Sequence, residues 1–210
     1  MDFLPIFFDI KDKPCVVVGG GEIASRKASL LLEAGASVCI ISPQLGPSLT
    51  EWKAEGRVSH QAREYAEGDL EGAHLVIAAT DNLEVNRRVS EAAHALRMPV
   101  NVVDQPELCS FVMPAIIDRS PVVAAVSTGG ASPVLARLIR GRLESLIPAG
   151  YGRLAELASR FRHRVKERIS DPTDRRRFWE EVLQGGVAER VFSGHLEEAD
   201  HLMERALEKR

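Results

Sequence analysis

Cysteine is scarce: Cys15, Cys39 and Cys109 are the only three in 210 residues. Their spacing fits no metal-ligand pattern, and an odd number leaves one thiol over in any disulfide scheme. Reduced thiols in a cytoplasmic protein are therefore expected. The six histidines are scattered, with no H-x-x-x-H or Cys/His cluster, so no protein metal site is expected. His60, His74 and His94 are read as packing residues. No apolar run approaches the length of a membrane-crossing helix. The opening MDFLPIFFDI is apolar but lacks a basic n-region and carries Asp2, Pro5 and Asp9. It is not a signal peptide; a short strand or edge segment over 3–9 is the expectation. Repeats and low-complexity segments are absent too.

A strong charge of either sign is also missing. The net charge is −3, which fits neither a polyanion binder as a whole nor a disordered acidic chain. The distribution is uneven, however. Residues 1–113 hold 10 Lys/Arg against 16 Asp/Glu, and residues 137–177 hold 12 against 5. The later stretch is suited to an anionic partner.

What is present is an ordinary globular composition, 45% apolar and 27% charged, in a chain long enough to bury a core without staples. Strand-like runs at 14–21, 36–41, 57–62, 73–80 and 98–103 alternate with helical patterns at 22–34, 47–55 and 82–96. That alternation predicts an α/β fold with a Rossmann-like parallel sheet covered on both faces. After residue 108 the pattern changes. Residues 110–127 read as two β-segments joined at Asp118–Pro121. Ser132 and Pro133 open a helix to 147 as N-cap and first helical residue, and helical pattern continues to Arg210 with breaks near 171–172 and 185–186. Three parts are expected: a dinucleotide-binding domain over 1–113, a short β/α segment over 114–147 and a helical domain over 148–210.

The stretch VVVGGGEIASRKASLLLEAGA fits G-x-G-x-x-A with Gly19, Gly21 and Ala24. The first glycine permits a tight turn, the second lets a pyrophosphate approach the backbone, and Ala24 lets helix and strand pack closely. Free N–H groups at the helix start would hold the phosphates. The pattern lies between a strand and a helix, the context that gives it weight. One expected piece is missing: Ser42, Pro43 and Gln44 stand where an acid would bind the ribose, and no arginine stands there for a 2′-phosphate. NAD and NADP remain open on the motif. IAATDN (77–82) offers a second wall through Ala79, Thr80 and Asp81, although Thr80 or Asp81 would serve equally well to cap the next helix. The cofactor-binding candidates are Gly19, Gly21, Glu22, Ile23, Pro43, Gln44, Ala79, Thr80, Asp81 and Asn101. Asp104 ends the strand PVNVVD before Pro106. It is either a turn residue or a proton acceptor at the edge where open sheets place their ligands.

These residues resemble the precorrin-2 dehydrogenase/sirohydrochlorin ferrochelatase module of siroheme synthase. The likeness runs through LPIF (4–7), the glycine turn, IAATDN, NVVD (101–104), the block SFVMPAIIDRSPVVAAVSTGGASPVLARLIRGRLE (110–144) and RRRFWE (175–180). Thr128 departs from a serine common in the family, and the tail after about 181 matches poorly. The resemblance implies NAD-dependent oxidation of precorrin-2 to sirohydrochlorin, with Asp104 catalytic. In many members it also implies insertion of ferrous iron to give siroheme. It further implies a homodimer, with 114–147 as the dimerisation segment, and a tetrapyrrole substrate with eight carboxylate side chains. Ser127, Thr128, Gly129 and Arg137 are the candidate contacts to that anion. Neither a nucleic-acid nor a membrane partner is expected. Two readings stand beside this one: a dehydrogenase without chelatase activity, and a redox-sensing dinucleotide-binding regulator with a basic helical tail.

Overall fold

The computed structural model describes residues 2–210 and divides into two compact units, one ending at Met113 and the other running from Pro114 to Arg210. In the first, strands β1 (Pro14–Val18), β2 (Ser37–Ile41), β3 (Val58–Gln61), β4 (Leu75–Ala78) and β5 (Val100–Val102) form one sheet in the order β3-β2-β1-β4-β5. Every pairing is parallel. Helices α1 (Glu22–Glu33), α2 (Pro47–Ala54) and α3 (Leu83–Ala95) connect them. This is the Rossmann-like α/β sheet that the alternation predicts.

The continuous apolar strands follow from burial on both faces. Cys15 and Val17 of β1 pack with Ala24, Ala28 and Leu31 of α1. Val16 and Val18, pointing the other way, pack with Val89 and Ala93 of α3. The strand order reverses between β1 and β4, so the crevice at their carboxyl ends is the topological switch point. Residues 3–9 are not a strand. The sheet ends at β3 and β5, and this segment, interrupted by Pro5, pairs with neither, leaving Leu4, Ile6 and Phe7 exposed.

In the second unit, β6 (Ala115–Arg119) and β7 (Val122–Val126) form an antiparallel hairpin. Helix α4 (Pro133–Leu146) is capped by Ser132, whose Oγ accepts from the Leu135 N–H at 3.2 Å. Helices α5 (Gly150–Arg168), α6 (Pro172–Gln184), α7 (Gly186–Phe192) and α8 (Leu196–Glu208) follow. Asp171 caps α6, accepting from the N–H groups of Thr173 and Asp174. Segment 114–147 and the later helices lie within this one unit. The helices close around Phe161, Val165, Phe178, Val191 and Met203. Phe178 is 1% exposed, so Phe178→Ala is expected to destabilise this unit by about 3–5 kcal/mol, read as an earlier chemical-denaturation midpoint.

Candidate functional site

The carboxyl ends of β1, β2 and β4 border a cleft of about 810 Å³. Its floor is the glycine turn. Gly19 has φ +126°, and a Cβ there would lie 2.2 Å from the Ala79 carbonyl oxygen. Only glycine allows both the conformation and this approach. Gly20 is pressed against the Gln44 carbonyl, 1.9 Å from where its Cβ would stand, and the Gly46 N–H donates to the Gly20 carbonyl at 2.8 Å. Gly21 differs: nothing lies within 4 Å of its would-be Cβ. The protein keeps that volume open beside the first turn of α1, where unpaired N–H groups and the helix dipole favour a phosphate. The turn therefore fits a dinucleotide.

Gly19, Gly21, Glu22, Ile23, Pro43, Gln44, Ala79, Thr80 and Asp81 all line this one cleft. The Ser42 hydroxyl donates to the Gln44 carbonyl at 2.8 Å, while His60 Nε2 lies 2.9 Å from the Ser42 carbonyl. These contacts set the Ser42–Gln44 turn. The next helix is capped by Asn82, not by Thr80 or Asp81. The Thr80 hydroxyl donates to Asn86 Oδ1 at 2.7 Å, so it braces the rim, and Asp81 is left exposed.

Asn101 lies apart from the other cofactor candidates. It is 7% exposed and outside the cleft lining. Its amide donates to the Phe111 carbonyl at 3.0 Å and approaches Cys109 Sγ at 3.6 Å. Here the chain doubles back along β5, with Val100 and Ser110 exchanging bonds of 2.9 Å. Cys109 Sγ also accepts from the Val102 N–H at 3.1 Å. Between these braces stands Asp104, exposed and held at φ +59°, immediately beyond β5 and also outside the cleft lining. Pro106 starts a 3-10 turn, Pro106–Leu108, that begins the reversal. Burial and Arg26 push the Lys27 ammonium below its usual value, and the nearby charge of Asp104 opposes that.

Ser127, Thr128, Gly129 and Arg137 lie in the second unit. The Ser127 hydroxyl accepts from the Gly129 N–H at 3.1 Å, and the Thr128 hydroxyl accepts from the Ser132 N–H at 3.0 Å. Both hydroxyls shape the turn. Arg137 is exposed and makes no ion pair among the described residues. The tail arginines are largely committed: Arg160 to Asp200, Arg164 to Glu204, Arg176 to Glu180, Arg190 to Glu198 and Arg210 to Glu181.

Sequence reading missed Gly20, Glu64 and Tyr65, which also line the cleft. Glu64 and Tyr65 follow β3, and only the strand order, which sets β3 beside β2, brings them there.

Sheet order and glycine turn together define a nucleotide-binding α/β domain of the doubly wound class. Residues 6–115 match the family described as putative NAD(P)-binding, residues 125–146 the sirohaem biosynthesis protein central region, and residues 150–207 the sirohaem synthase dimerisation region. The chain belongs to the putative NAD(P)-binding family, in the form found at the N-terminal region of siroheme synthases. The last match takes in the tail beyond 181, where sequence motifs carried nothing over. Siroheme synthase of Methylobacillus flagellatus is 57% identical over 210 residues, covering 100% of this chain and 45% of that protein. That of Pseudomonas aeruginosa is 53% identical over 207 residues, covering 99% and 44%. The chain thus spans about half the length of the curated relatives it matches. The solved structure of SirC, precorrin-2 dehydrogenase, superposes with a TM-score of 0.70 at 24% identity, over 93% of this chain and 100% of that one. That likeness is one of fold.

The open volume at Gly21 gives a clean test. Gly21→Ala is expected to change folding stability by no more than about 1 kcal/mol. NAD binding should weaken at least roughly tenfold, about 1.4 kcal/mol, when titrated calorimetrically.

Proposed function

We propose that this chain carries out NAD-dependent dehydrogenation of precorrin-2 to sirohydrochlorin, with Asp104 as the proton acceptor, in a cytoplasmic homodimer. The observation that carries the reading is Asp104 itself. It stands at the carboxyl edge of a parallel sheet, where open sheets place their ligands, in a turn at φ +59° that aspartate tolerates. Asp12 and Arg97 also have positive φ in turns; Asp104 differs from them in standing at the carboxyl edge of the sheet, where open sheets place their ligands. Relatives named siroheme synthase and a structural neighbour named precorrin-2 dehydrogenase supply the substrate.

In this reading the N–H groups at the start of α1 hold the pyrophosphate, and the small residues Ala78 and Ala79 leave room above β4. Bound NAD supplies the hydride acceptor. Asp104 takes the proton released with the hydride, with Lys27 near that carboxylate. On the second unit, Arg137 is the candidate partner for a substrate carboxylate. The exposed Val134, Leu135 and Leu138 of α4 and the match to a dimerisation region support association with a second copy. Ferrous iron insertion into sirohydrochlorin is a second step that the relatives' name favours. The ion pairs of Arg160, Arg164, Arg176, Arg190 and Arg210 reduce the free positive charge that the rival nucleic-acid-binding regulator would use.

Asn tolerates the left-handed conformation as Asp does, so Asp104→Asn removes the base while keeping the turn. NAD affinity is expected to stay within about twofold while sirohydrochlorin formation, followed by absorbance, falls roughly 10²–10³-fold. Near-normal turnover would overturn the assignment. Ferrous iron added afterwards tests the second step separately.

A further inference from the structure

The motif alone leaves the choice between NAD and NADP open, because no acid follows β2. The cleft supplies one from elsewhere. Glu64, three residues beyond β3, lines the same end as Ser42, Pro43 and Gln44. The register that pairs Ile41 with Gln61, and the bond from the Ser42 N–H to the Gln61 carbonyl at 3.2 Å, set the two loops side by side. We infer that Glu64 is the specificity residue of this site, and that its carboxylate selects a free ribose 2′-hydroxyl over a 2′-phosphate. This rests on the dinucleotide reading above and goes beyond it.

Glu64 is held from both sides. Tyr65, 6% exposed, is packed into the core and itself walls the cleft. Its buried hydroxyl finds no partner among the described residues. On the other side, Arg63 donates from Nη1 to Asp69 Oδ2 at 2.8 Å and from Nη2 to Asp69 Oδ1 at 2.5 Å. Asp69 in turn accepts from the Ala66 N–H at 2.7 Å, which closes the loop. The hydrogen bonds from Arg63, helped by that N–H, hold the Asp69 carboxyl below the usual aspartate range.

The Arg63 clamp has a second effect. Arg63 is the cation nearest in sequence to Glu64, and a guanidinium there would be the natural partner of a 2′-phosphate. Its Nη1 and Nη2 also donate to the Glu64 carbonyl and the Gln61 side chain, so both of its terminal nitrogens are engaged within the loop. Arg88 stacks over the Tyr65 ring with its Cζ 5.7 Å from the centroid and does not line the cleft. Among the described residues, no Lys, Arg or His lines the cleft, whereas Glu22, Glu64 and Asp81 do. Glu64 makes no ion pair among the described residues, so no fixed cation neutralises its charge at this end. A pyrophosphate can be held by backbone N–H groups at the glycine turn. A further phosphate at the ribose meets only carboxylate.

The test measures Kd for NADH and NADPH, by fluorescence, on the full chain and on Glu64→Gln and Glu64→Lys. The side chain is exposed, and circular dichroism checks that both variants fold. The wild type is expected to favour NADH. The ratio of the two Kd values should move roughly tenfold towards NADPH in Glu64→Gln, and further in Glu64→Lys. Raising the salt concentration should shrink the wild-type preference. If the wild type binds neither nucleotide, the dinucleotide reading falls and this inference with it. If it binds NADH but shows no preference, or if the ratio stays within about twofold in both variants, Glu64 is not the selector and the dinucleotide reading stands.

Discussion

Backbone meets backbone at Gly19 and Gly20, and the whole carboxyl edge of the sheet is arranged around that approach. A side chain at Gly19 would collide with the Ala79 carbonyl, and one at Gly20 with the Gln44 carbonyl. These two contacts tie the end of β1 to the ends of β4 and β2, and so fix the distance between the cleft's walls. A small residue is needed as well: Ala24 lets α1 start close to the strand it leaves. The amide N–H groups of the first helical turn are then aimed into the cleft by the packing of α1, without any charged side chain.

Local features of this site were legible before the fold was known. The glycine spacing, the strand before it and the helix after it are neighbours in sequence, and their chemistry depends on nothing farther away. Asp104 was legible as a strand end for the same reason. Features that depend on strand order were not. Glu64 and Tyr65 reach the cleft because β3 lies beside β2, and no pattern around Arg63–Tyr65 signals this. Asn101 shows the opposite case. It sits on a strand that ends at the ligand edge, but the chain reverses after Pro106 and buries its amide against Phe111 and Cys109. A polar residue near a cleft can be spent on a loop that the sequence does not reveal. The apolar segment 3–9 has strand composition but finds no open edge to pair with, since pairing is decided by what the sheet leaves free.

The carboxylate lining gives the site a further property. Glu22, Glu64 and Asp81 oppose any anion that enters, so a dinucleotide must be held by N–H groups, the α1 dipole and apolar contact, against a repulsive background. Glu22 also lies in the first turn of α1, where its own negative charge complements the dipole when no phosphate is present. The helix start therefore never lacks a compensating charge, and a departing cofactor leaves no exposed positive end behind. A cofactor that changes charge by accepting a hydride must be released at every turnover. A site that binds it by shape and amide donors, with no lysine or arginine clamp, keeps the cost of that release low.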